Sequence, residues 1–182
     1  KMAGSRGFYS ASEFYLDALP PWILEEGVEL GRACVAPDHR TGRVIYLLWK
    51  GIAQYLAYNR LRYLFGCCSL PETDPGRGLT LHLQLARQGR VLDGFILNAT
   101  PSCSCRDGVL SKDEVPIPPL FKMYLDMGAR VCSEPAIDRE FGVIDFLIVL
   151  DVEKLDARTR TRMLGAMGGV GRASNELQVA GS

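Results

Sequence analysis

A strand, a helix and a second strand follow one another directly in this chain, and that order constrains the fold more than any other feature. Apolar and β-branched residues predict strands at Val28–Val35 and Tyr63–Leu70. Between them, apolar residues at every fourth position predict a helix over Thr41–Tyr58 with one buried stripe. The stripe consists of Val44, Leu48, Ile52 and Leu56. Two strands joined through one helix lie parallel in a right-handed βαβ unit.

The rest of the chain alternates weaker helix and strand patterns, which predicts an α/β chain of the α+β kind with a mixed sheet. Before Val28, the sequence predicts a loop and a short element that begins at a serine cap near Ser10. The elements predicted beyond Leu70 are a helix at Leu79–Arg87, a strand at Val91–Leu97, a helix at Leu120–Met127 ended by Gly128, a strand at Ala129–Cys132 and a strand at Val143–Leu150.

The 182 residues suffice for one domain, which we place at residues 1–155, followed by a basic and then flexible tail at 156–182. Lysine and arginine number 21, and aspartate and glutamate also number 21, which argues against a nucleic-acid-binding protein. No apolar run approaches the roughly 20 residues that span a bilayer. We expect a cytoplasmic protein that contacts the inner face of a membrane at most peripherally, through Arg158, Arg160 and Arg162.

Six cysteines raise the question of a disulfide or a zinc site. Cys67-Cys68 and Cys103-x-Cys105 lack the paired Cys-x-x-Cys spacing of structural zinc sites. Cys34, Cys67 and Cys68 fall in predicted strands, where a free cysteine packs as a small hydrophobic residue. We therefore predict reduced thiols and no metal.

Glu29 and Arg32 lie inside the first predicted strand, where a charge is unfavourable unless it is paired or functional. The strand ends at a Pro-Asp turn, and the loop Arg40-Thr41-Gly42-Arg43 then leads into the predicted helix. Free backbone N–H groups, the helix dipole and two arginines suit this helix N-terminus to an anion such as a phosphate. We therefore expect the chemistry of the protein in this segment.

Several ordered segments between about Gly7 and Leu155 carry a family resemblance. They are Glu29–Val35, Pro37–Arg40, Leu47–Ile52, Arg62–Pro71, Thr73–Pro75, Pro118–Leu120 and Ile137–Gly142. Together they resemble the ornithine-lipid N-acyltransferases, which are hemolysin-like members of the GNAT acyltransferase fold. The Glu-x-x-Arg element is also similar to that of acyl-homoserine-lactone synthases and long-chain N-acyl amino acid synthases.

The resemblance implies transfer of a long 3-hydroxyacyl chain from acyl carrier protein to the α-amino group of an amino acid. Ornithine is the implied acceptor, which makes the product a lyso-ornithine lipid. Three alternatives stay open: another acceptor such as glycine or tyrosine, a lactone-forming synthase, and a non-catalytic module that binds acyl chains or carrier protein. A GNAT fold usually begins with a strand and two helices well before the Glu29 strand. Because little sequence precedes Val28, we expect either a fragment or another segment in that place.

The donor site implied by the resemblance lies where the strands at Val28–Val35 and Tyr63–Leu70 splay apart. The pantetheine arm of the carrier protein is expected to bind there as a co-substrate, with no permanently bound cofactor. The backbone N–H groups offered to the arm and to the oxyanion are those of Ala33, Cys34 and Val35. The phosphate is expected at Arg40, Thr41, Gly42 and Arg43. A basic face for the acidic carrier protein consists of Arg40, Arg43, Lys50, Arg60 and Arg62.

The acceptor side is expected to use charged residues that match the family pattern. Glu29 is predicted as general base or amine orienter, and Arg32 as its partner or as an anchor for a substrate carboxylate, against the alternative of a structural ion pair. Ser69 either protonates the leaving thiolate or only ends its strand. Three consecutive residues either bind the acceptor head group or form a charged turn, namely Asp138, Arg139 and Glu140. Six aromatic residues either line an acyl tunnel or belong to the core: Trp49, Phe65, Phe95, Phe121, Tyr124 and Phe146.

Overall fold

The computed structural model describes residues 7–31 and 34–164, and at residue 42 and residues 162–164 it describes the backbone alone. The α-helices are α1 (Pro21–Glu25), α2 (Gly42–Asn59), α3 (Pro75–Arg87), α4 (Pro119–Asp126) and α5 (Ala157–Leu164). The strands are β1 (Gly27–Glu29), β2 (Tyr63–Leu70), β3 (Arg130–Val131), β4 (Ala136–Asp138) and β5 (Val143–Asp151). Short 3-10 helices lie at Tyr9–Ser12, Leu16–Ala18, Pro37–His39 and Val152–Lys154. None of these helices combines the length and the apolar content that a bilayer crossing requires.

Strands β2 and β5 form the centre of a five-stranded sheet. They pair antiparallel from Tyr63 opposite Asp151 to Leu70 opposite Ile144. β1 adds a short parallel strand on the other side of β2, with Glu29 opposite Phe65. β3 and β4 both pair antiparallel with the second edge of β5. The predicted α+β fold with a mixed sheet is confirmed.

One face of the sheet packs against the N-terminal segment of the chain. Successive strand residues point to opposite faces, so alternate residues of β2 and β5 share this side. Tyr63, Phe65, Leu147 and Val149 form an apolar cluster here with Phe14. We call this the N-terminal face of the sheet.

The opposite face carries the helices α3 and α4. Phe121 of α4 packs against Phe146 of β5, with ring centroids 5.5 Å apart. Leu81 and Leu85 of α3 are fully buried, and the close approach of Gly78 to Ile144 leaves little room for a side chain there. Burial of each of these four large side chains stabilises the packing of the helices on the sheet by roughly 1.5–3 kcal/mol.

The elements with the clearest sequence patterns are confirmed. β2 has the predicted bounds, β5 is longer than predicted by one residue at its C-terminal end, and α2 and α4 are each shifted from the predicted range by one residue. Gly128 follows α4 with a φ of 103°, as expected of a glycine that ends a helix. Helix α3 begins earlier than predicted, because the Asp74 side chain caps it by accepting the Gly76 N–H at 2.8 Å.

The first predicted strand is wrong in length, because β1 comprises three residues rather than Val28–Val35. Leu30 still donates its N–H to the Phe65 carbonyl at 2.8 Å. Its own carbonyl oxygen then lies over Gly66, where a Cβ would collide with it and would lie 3.3 Å from its carbonyl carbon. The chain therefore leaves the plane of the sheet at Leu30, and within the described residues β2 from Gly66 onward pairs with β5 alone.

The predicted strand at Val91–Leu97 is also wrong. Only its two ends make isolated bridges, Val91 to Val131 and Leu97 to Ser133, because Asp93 and Gly94 form a bend between them. The strand predicted at Ala129–Cys132 is shorter than expected and consists of β3 alone. β4 and its antiparallel pairing with β5 were not predicted.

Contacts divide the chain into two compact units. The first comprises Lys1–Cys34 and Arg62–Leu155 and contains the whole sheet. The second comprises Val35–Leu61 and Asp156–Ser182, and in it α2 and α5 contact each other. The predicted boundary between a domain at 1–155 and a tail at 156–182 stays a prediction, and the tail beyond residue 164 lies outside the described residues.

The buried stripe predicted for α2 is wrong at Leu48, which is exposed. Leu56 of the predicted stripe is buried, and the other buried residues of this helix are Trp49 and Ala53. A strict four-residue spacing drifts by about 40° per step around an α-helix, whereas a spacing of four and then three residues keeps to one face.

Candidate functional site

Four carboxyl groups meet on the N-terminal face of the sheet, where β1 stops pairing with β2. They belong to Glu13, Glu29, Asp138 and Asp145, and we call them the acidic cluster. Glu29 lies on β1, Asp138 on β4 and Asp145 on β5. Glu29 stands opposite Phe65 and Asp145 opposite Ser69, and Phe65, Cys67 and Ser69 point to the same side of β2. Asp138 stands opposite Val143, two residues before Asp145, so its side chain lies on that side as well. Glu13 reaches the cluster from the chain that covers this face.

Glu29 ties β1 to the 3-10 helix Tyr9–Ser12. Its two carboxylate oxygens accept hydrogen bonds from the backbone N–H groups of Tyr9, at 2.7 Å, and Ser10, at 2.8 Å. These are the free donors at the start of a helix, so the carboxylate acts as a cap from a distant part of the sequence. The position of Glu29 therefore determines where the segment that carries Glu13 lies.

Glu13 is held in place from its backbone. Its carbonyl accepts the Thr100 N–H at 2.7 Å, and its neighbour Phe14 bridges to Ala99. The residue is only 3% exposed, and among the described residues neither carboxylate oxygen has a hydrogen-bond partner. A charged carboxylate without partners is strongly unfavourable in such a place.

Asp145 lies beside Glu13 in the middle of the sheet. The two carboxyl groups and the thiol of Cys67 have ligand atoms within 4.8 Å of one another. Asp145 is 4% exposed and stands opposite Ser69, whose hydroxyl donates to it. Ser69 itself is exposed, and Cys67 and Glu29 are half-buried, so the cluster reaches solvent on the side of β2 that β1 has left.

Burial and mutual repulsion change the acid–base properties of the cluster. Burial, followed by the charges of Asp145, Asp138 and Glu29, raises the pKa of Glu13 to about 8. Burial also raises the pKa of Asp145, although its hydrogen bond with Ser69 opposes that shift. The pKa of the Cys67 thiol rises well above its ordinary value for the same reasons, with burial first and the neighbouring carboxylates next. Both shifts favour the protonated acid over the carboxylate, and Glu13 holds its proton at neutral pH.

Asp138 forms the charged turn that was one of its two predicted roles. Its Oδ1 accepts the backbone N–H groups of Glu140, at 2.8 Å, and Phe141, at 3.0 Å. Its Oδ2 accepts the Tyr9 hydroxyl at 3.2 Å, which joins it to the acidic cluster. Arg139 and Glu140 are exposed on the turn, so their predicted role in acceptor binding stays a prediction.

The residues predicted for the donor site lie in both units. Arg40 donates from Nε to the Val35 carbonyl at 3.1 Å, which brings these two together. Thr41 is the cap residue of α2, Gly42 is its first residue, and Arg43 is exposed in its first turn. Arg32 and Ala33 lie outside the described residues, so neither an Arg32 ion pair nor an Ala33 donor can be placed.

Some residues predicted for binding or burial have a different place. Arg62, assigned to a carrier-protein face, forms a bidentate ion pair with Asp151 at 2.9 and 2.7 Å. Cys34 was predicted to be buried in a strand and is exposed, because β1 ends before it. Among the aromatic residues, Trp49, Phe65, Phe121 and Phe146 are buried, and Phe95 and Tyr124 are half-buried.

Two residues of the acidic cluster, Glu13 and Asp145, were not predicted from the sequence. Asp145 interrupts the apolar run Val143–Leu150, and that is the same signal that singled out Glu29 in its strand. Glu13 lies in a short irregular segment whose sequence has no periodicity, so no comparable signal exists for it.

Residues 1–50 match a family model described as an acetyltransferase (GNAT) domain. The chain is 33% identical over 160 residues to the L-ornithine N(alpha)-acyltransferase of Rhizobium meliloti (strain 1021), a match that covers 84% of this chain and 54% of that protein. It is 31% identical over 163 residues to the protein of the same name from Brucella abortus (strain 2308), with coverage of 84% and 57%. A third protein of that name, from Agrobacterium fabrum (strain C58 / ATCC 33970), is 31% identical over 167 residues, with coverage of 85% and 55%.

The chain thus spans about half the length of the relatives that it matches. No solved protein structure matches it. The resemblance predicted from the sequence is confirmed by these relatives, and the mixed α+β sheet agrees with the matched family model. The chain is thus similar to the L-ornithine N(alpha)-acyltransferases over most of its length, and its first 50 residues match the acetyltransferase (GNAT) domain model.

Proposed function

We propose that the protein is an N-acyltransferase that joins an acyl chain to the amino group of an amino acid, and that the acceptor is L-ornithine. The observation that carries the proposal is the acidic cluster at the end of the β1–β2 pairing. The names of the relatives support the reaction and the acceptor, since each is called an L-ornithine N(alpha)-acyltransferase.

An acidic site of this kind suits the chemistry of amide formation. At neutral pH an amino acid carries its amine as an ammonium ion, which carboxylates attract, and the amine must lose a proton before it attacks a thioester. Ornithine carries two ammonium groups, so it gains more than a neutral amino acid from a site that holds several carboxyl groups. The cluster offers four, of which Glu13, with a pKa raised to about 8, can exchange a proton near neutral pH.

The proposed donor is an acyl chain, 3-hydroxylated and long, carried on the phosphopantetheine arm of acyl carrier protein. The product would then be a lyso-ornithine lipid made on the cytoplasmic side of the membrane. In support, Arg40 and Arg43 are exposed at the start of α2, an 18-residue helix whose N-terminus suits an anionic group. An exposed cationic patch there also suits an acidic carrier protein.

The proposal is tested by an assay that pairs two donors with several acceptors. The donors are 3-hydroxyacyl carrier protein and the same acyl chain on coenzyme A, and the acceptors are L-ornithine, L-lysine, glycine and L-tyrosine. Products are quantified by liquid chromatography and mass spectrometry. We expect turnover with carrier protein and ornithine to exceed every other pair. Preference for glycine or tyrosine would replace the acceptor, preference for coenzyme A would replace the donor, and carrier-protein binding without any acylated product would favour a non-catalytic binding module.

A further inference from the structure

We propose that Glu13 and Asp145, with Cys67 beside them, form the pocket that receives the cationic amine of the acceptor, and that Glu13 takes the proton that the amine gives up. This inference rests on the proposed function, because it names the residues that would handle the acceptor. It assigns the proton transfer to Glu13 rather than to Glu29, which the sequence favours.

Hydrogen bonding separates the two glutamates. Each oxygen of Glu29 already accepts a backbone N–H group, at 2.7 and 2.8 Å, and these bonds hold the N-terminal segment. Both oxygens of Glu13 and Oδ1 of Asp145 are buried without a hydrogen-bond partner among the described residues. Glu13 thus has more free acceptor capacity for an ammonium group than Glu29 has.

Charge favours a cation in this pocket. The groups that face Glu13 are Asp145 on β5, Asp138 on β4, Glu29 on β1 and the Cys67 thiol on β2, together with the Tyr9 hydroxyl that bonds to Asp138. All three charged neighbours are carboxylates, and each raises the pKa of Glu13. A primary ammonium, with one charge and three N–H donors, matches this set of acceptors in sign and in hydrogen-bonding capacity.

The proton count follows from the protonated Glu13. In the free protein at pH 7, Glu13 holds a proton because its pKa is about 8, and binding of an ammonium ion displaces that proton to solvent. The bound ammonium then gives a proton to Glu13 and becomes a neutral amine. When the amine nitrogen bonds to the thioester carbon, the C–S bond breaks, and the second amine proton goes to the departing thiolate. The products are the amide and the thiol, and Glu13 again holds a proton.

Calorimetry tests this scheme without requiring turnover. The protein is titrated with L-ornithine at pH 7 in two buffers of different ionisation enthalpy, which yields the affinity and the number of protons released. We expect the wild type to release about one proton for each ornithine bound, since the proton held by Glu13 is displaced. Glu13→Gln should bind ornithine at least about tenfold more weakly, equivalent to about 1.4 kcal/mol, and should release no proton. Glu25→Gln, which changes an exposed glutamate of α1, should behave as wild type.

A structural role predicts a different result, because loss of a structural carboxyl would lower stability and leave proton release intact in whatever protein remains folded. If Glu13→Gln does not fold, Asp145→Asn serves in its place: it removes a neighbouring carboxylate from the pocket and should bind ornithine at least about tenfold more weakly. Unchanged affinity and proton release in the folded variant would overturn the inference. So would tight binding of zinc chloride that depends on Glu13 while ornithine binding does not, because the pocket would then be a metal site.

Failure of this inference and failure of the proposed function give different results. If the wild type acylates ornithine and Glu13→Gln does so with the same kcat/KM and the same pH profile, the function stands and the assignment of Glu13 is wrong. If ornithine binds with Glu13-dependent proton release but no acylated product forms with any donor, the pocket stands and the acyltransferase function is wrong.

Discussion

Glu29 and Ser10 are joined by a hydrogen bond of 2.8 Å from the Ser10 backbone N–H to a Glu29 carboxylate oxygen. The other oxygen of Glu29 accepts the Tyr9 N–H, so both side-chain oxygens must act as hydrogen-bond acceptors. In Glu29→Gln, one of these positions becomes an NH2 group that faces a donor. We expect the free energy of unfolding to fall by about 1–3 kcal/mol, as for a lost charged hydrogen bond.

Urea denaturation of Glu29→Gln measures this effect, with Glu25→Gln as the exposed control. A loss of activity in Glu29→Gln should be accompanied by weaker packing of the N-terminal segment, detected as faster amide hydrogen exchange at residues 9–14. Full stability and unchanged exchange together with lost activity would instead assign Glu29 a direct role in the reaction.

A methyl group at residue 66 should disrupt the end of the β1–β2 pairing. The added Cβ in Gly66→Ala would collide with the Leu30 carbonyl oxygen, which is backbone and has no rotamer to change. We expect a loss of roughly 1–3 kcal/mol in the free energy of unfolding, typical of overpacking.

The matched control is Gly51→Ala in helix α2, where an added Cβ meets nothing within 4 Å. Because alanine favours a helix over glycine by about 0.5–1 kcal/mol, this variant should be more stable than wild type. Thermal denaturation of both variants measures the two changes in stability. A Gly66→Ala protein as stable as wild type would show that the Leu30 carbonyl oxygen does not lie over Gly66.

Stability should depend on pH through Glu13. Its folded-state pKa of about 8 lies above the ordinary value of 4.5, so the folded state binds the proton more tightly than the unfolded state does. The associated stability is complete below pH 4.5 and is lost as the pH rises towards 8. Each unit of pKa corresponds to about 1.4 kcal/mol, so the shift from 4.5 to about 8 corresponds to a loss on the order of 4–5 kcal/mol across this range.

Glu13→Gln should remove most of this pH dependence and should be more stable than wild type at pH 8, because it replaces a buried charge with a neutral amide. Chemical denaturation at pH 5, 6.5 and 8 provides the comparison. Parallel pH profiles for the two proteins would mean that the pKa of Glu13 is not raised in the folded protein.

Two arginines near the start of β2 should respond to substitution in opposite directions. Arg62 and Asp151 form a bidentate ion pair with side chains 15% and 10% exposed, so Arg62→Ala leaves a largely buried carboxylate without its partner. We expect the free energy of unfolding to fall by about 2–4 kcal/mol.

Arg60 has a left-handed φ of 56° after α2, and Arg60→Gly should raise the free energy of unfolding by about 0.5–1 kcal/mol. Urea denaturation of both measures the sign as well as the size, and equal losses would contradict this description.

The sequence predicts best the elements whose signal is continuous. β2 and β5 are long apolar runs, and α2 has a clear helical period, so their ranges are right to within a residue. β1 is different, since the sequence of Val28–Val35 suits a strand throughout, yet β1 ends at Glu29 and the Leu30 carbonyl oxygen lies over Gly66. That contact joins residues more than thirty positions apart, so the local sequence pattern does not predict it.

The candidate site is partly readable from the sequence for the same reason. Glu29 and Asp145 stand out as charges in apolar strands, and Asp138 lies in a motif that the family resemblance highlights. Glu13 reaches the cluster because Glu29 caps its segment and Thr100 pairs with its carbonyl. Both contacts are tertiary, so the residue with the largest predicted effect on the chemistry is the one that sequence alone does not indicate.

The most direct test of the account is tandem mass spectrometry of the product formed from L-ornithine and 3-hydroxyacyl carrier protein. The account predicts a single N-acyl-ornithine acylated at the α-amino group, formed by wild type and by Glu25→Gln and reduced at least about tenfold in Glu13→Gln, a change of about 1.4 kcal/mol in the barrier. Folded wild-type protein that forms no acyl-ornithine from a competent donor would contradict it.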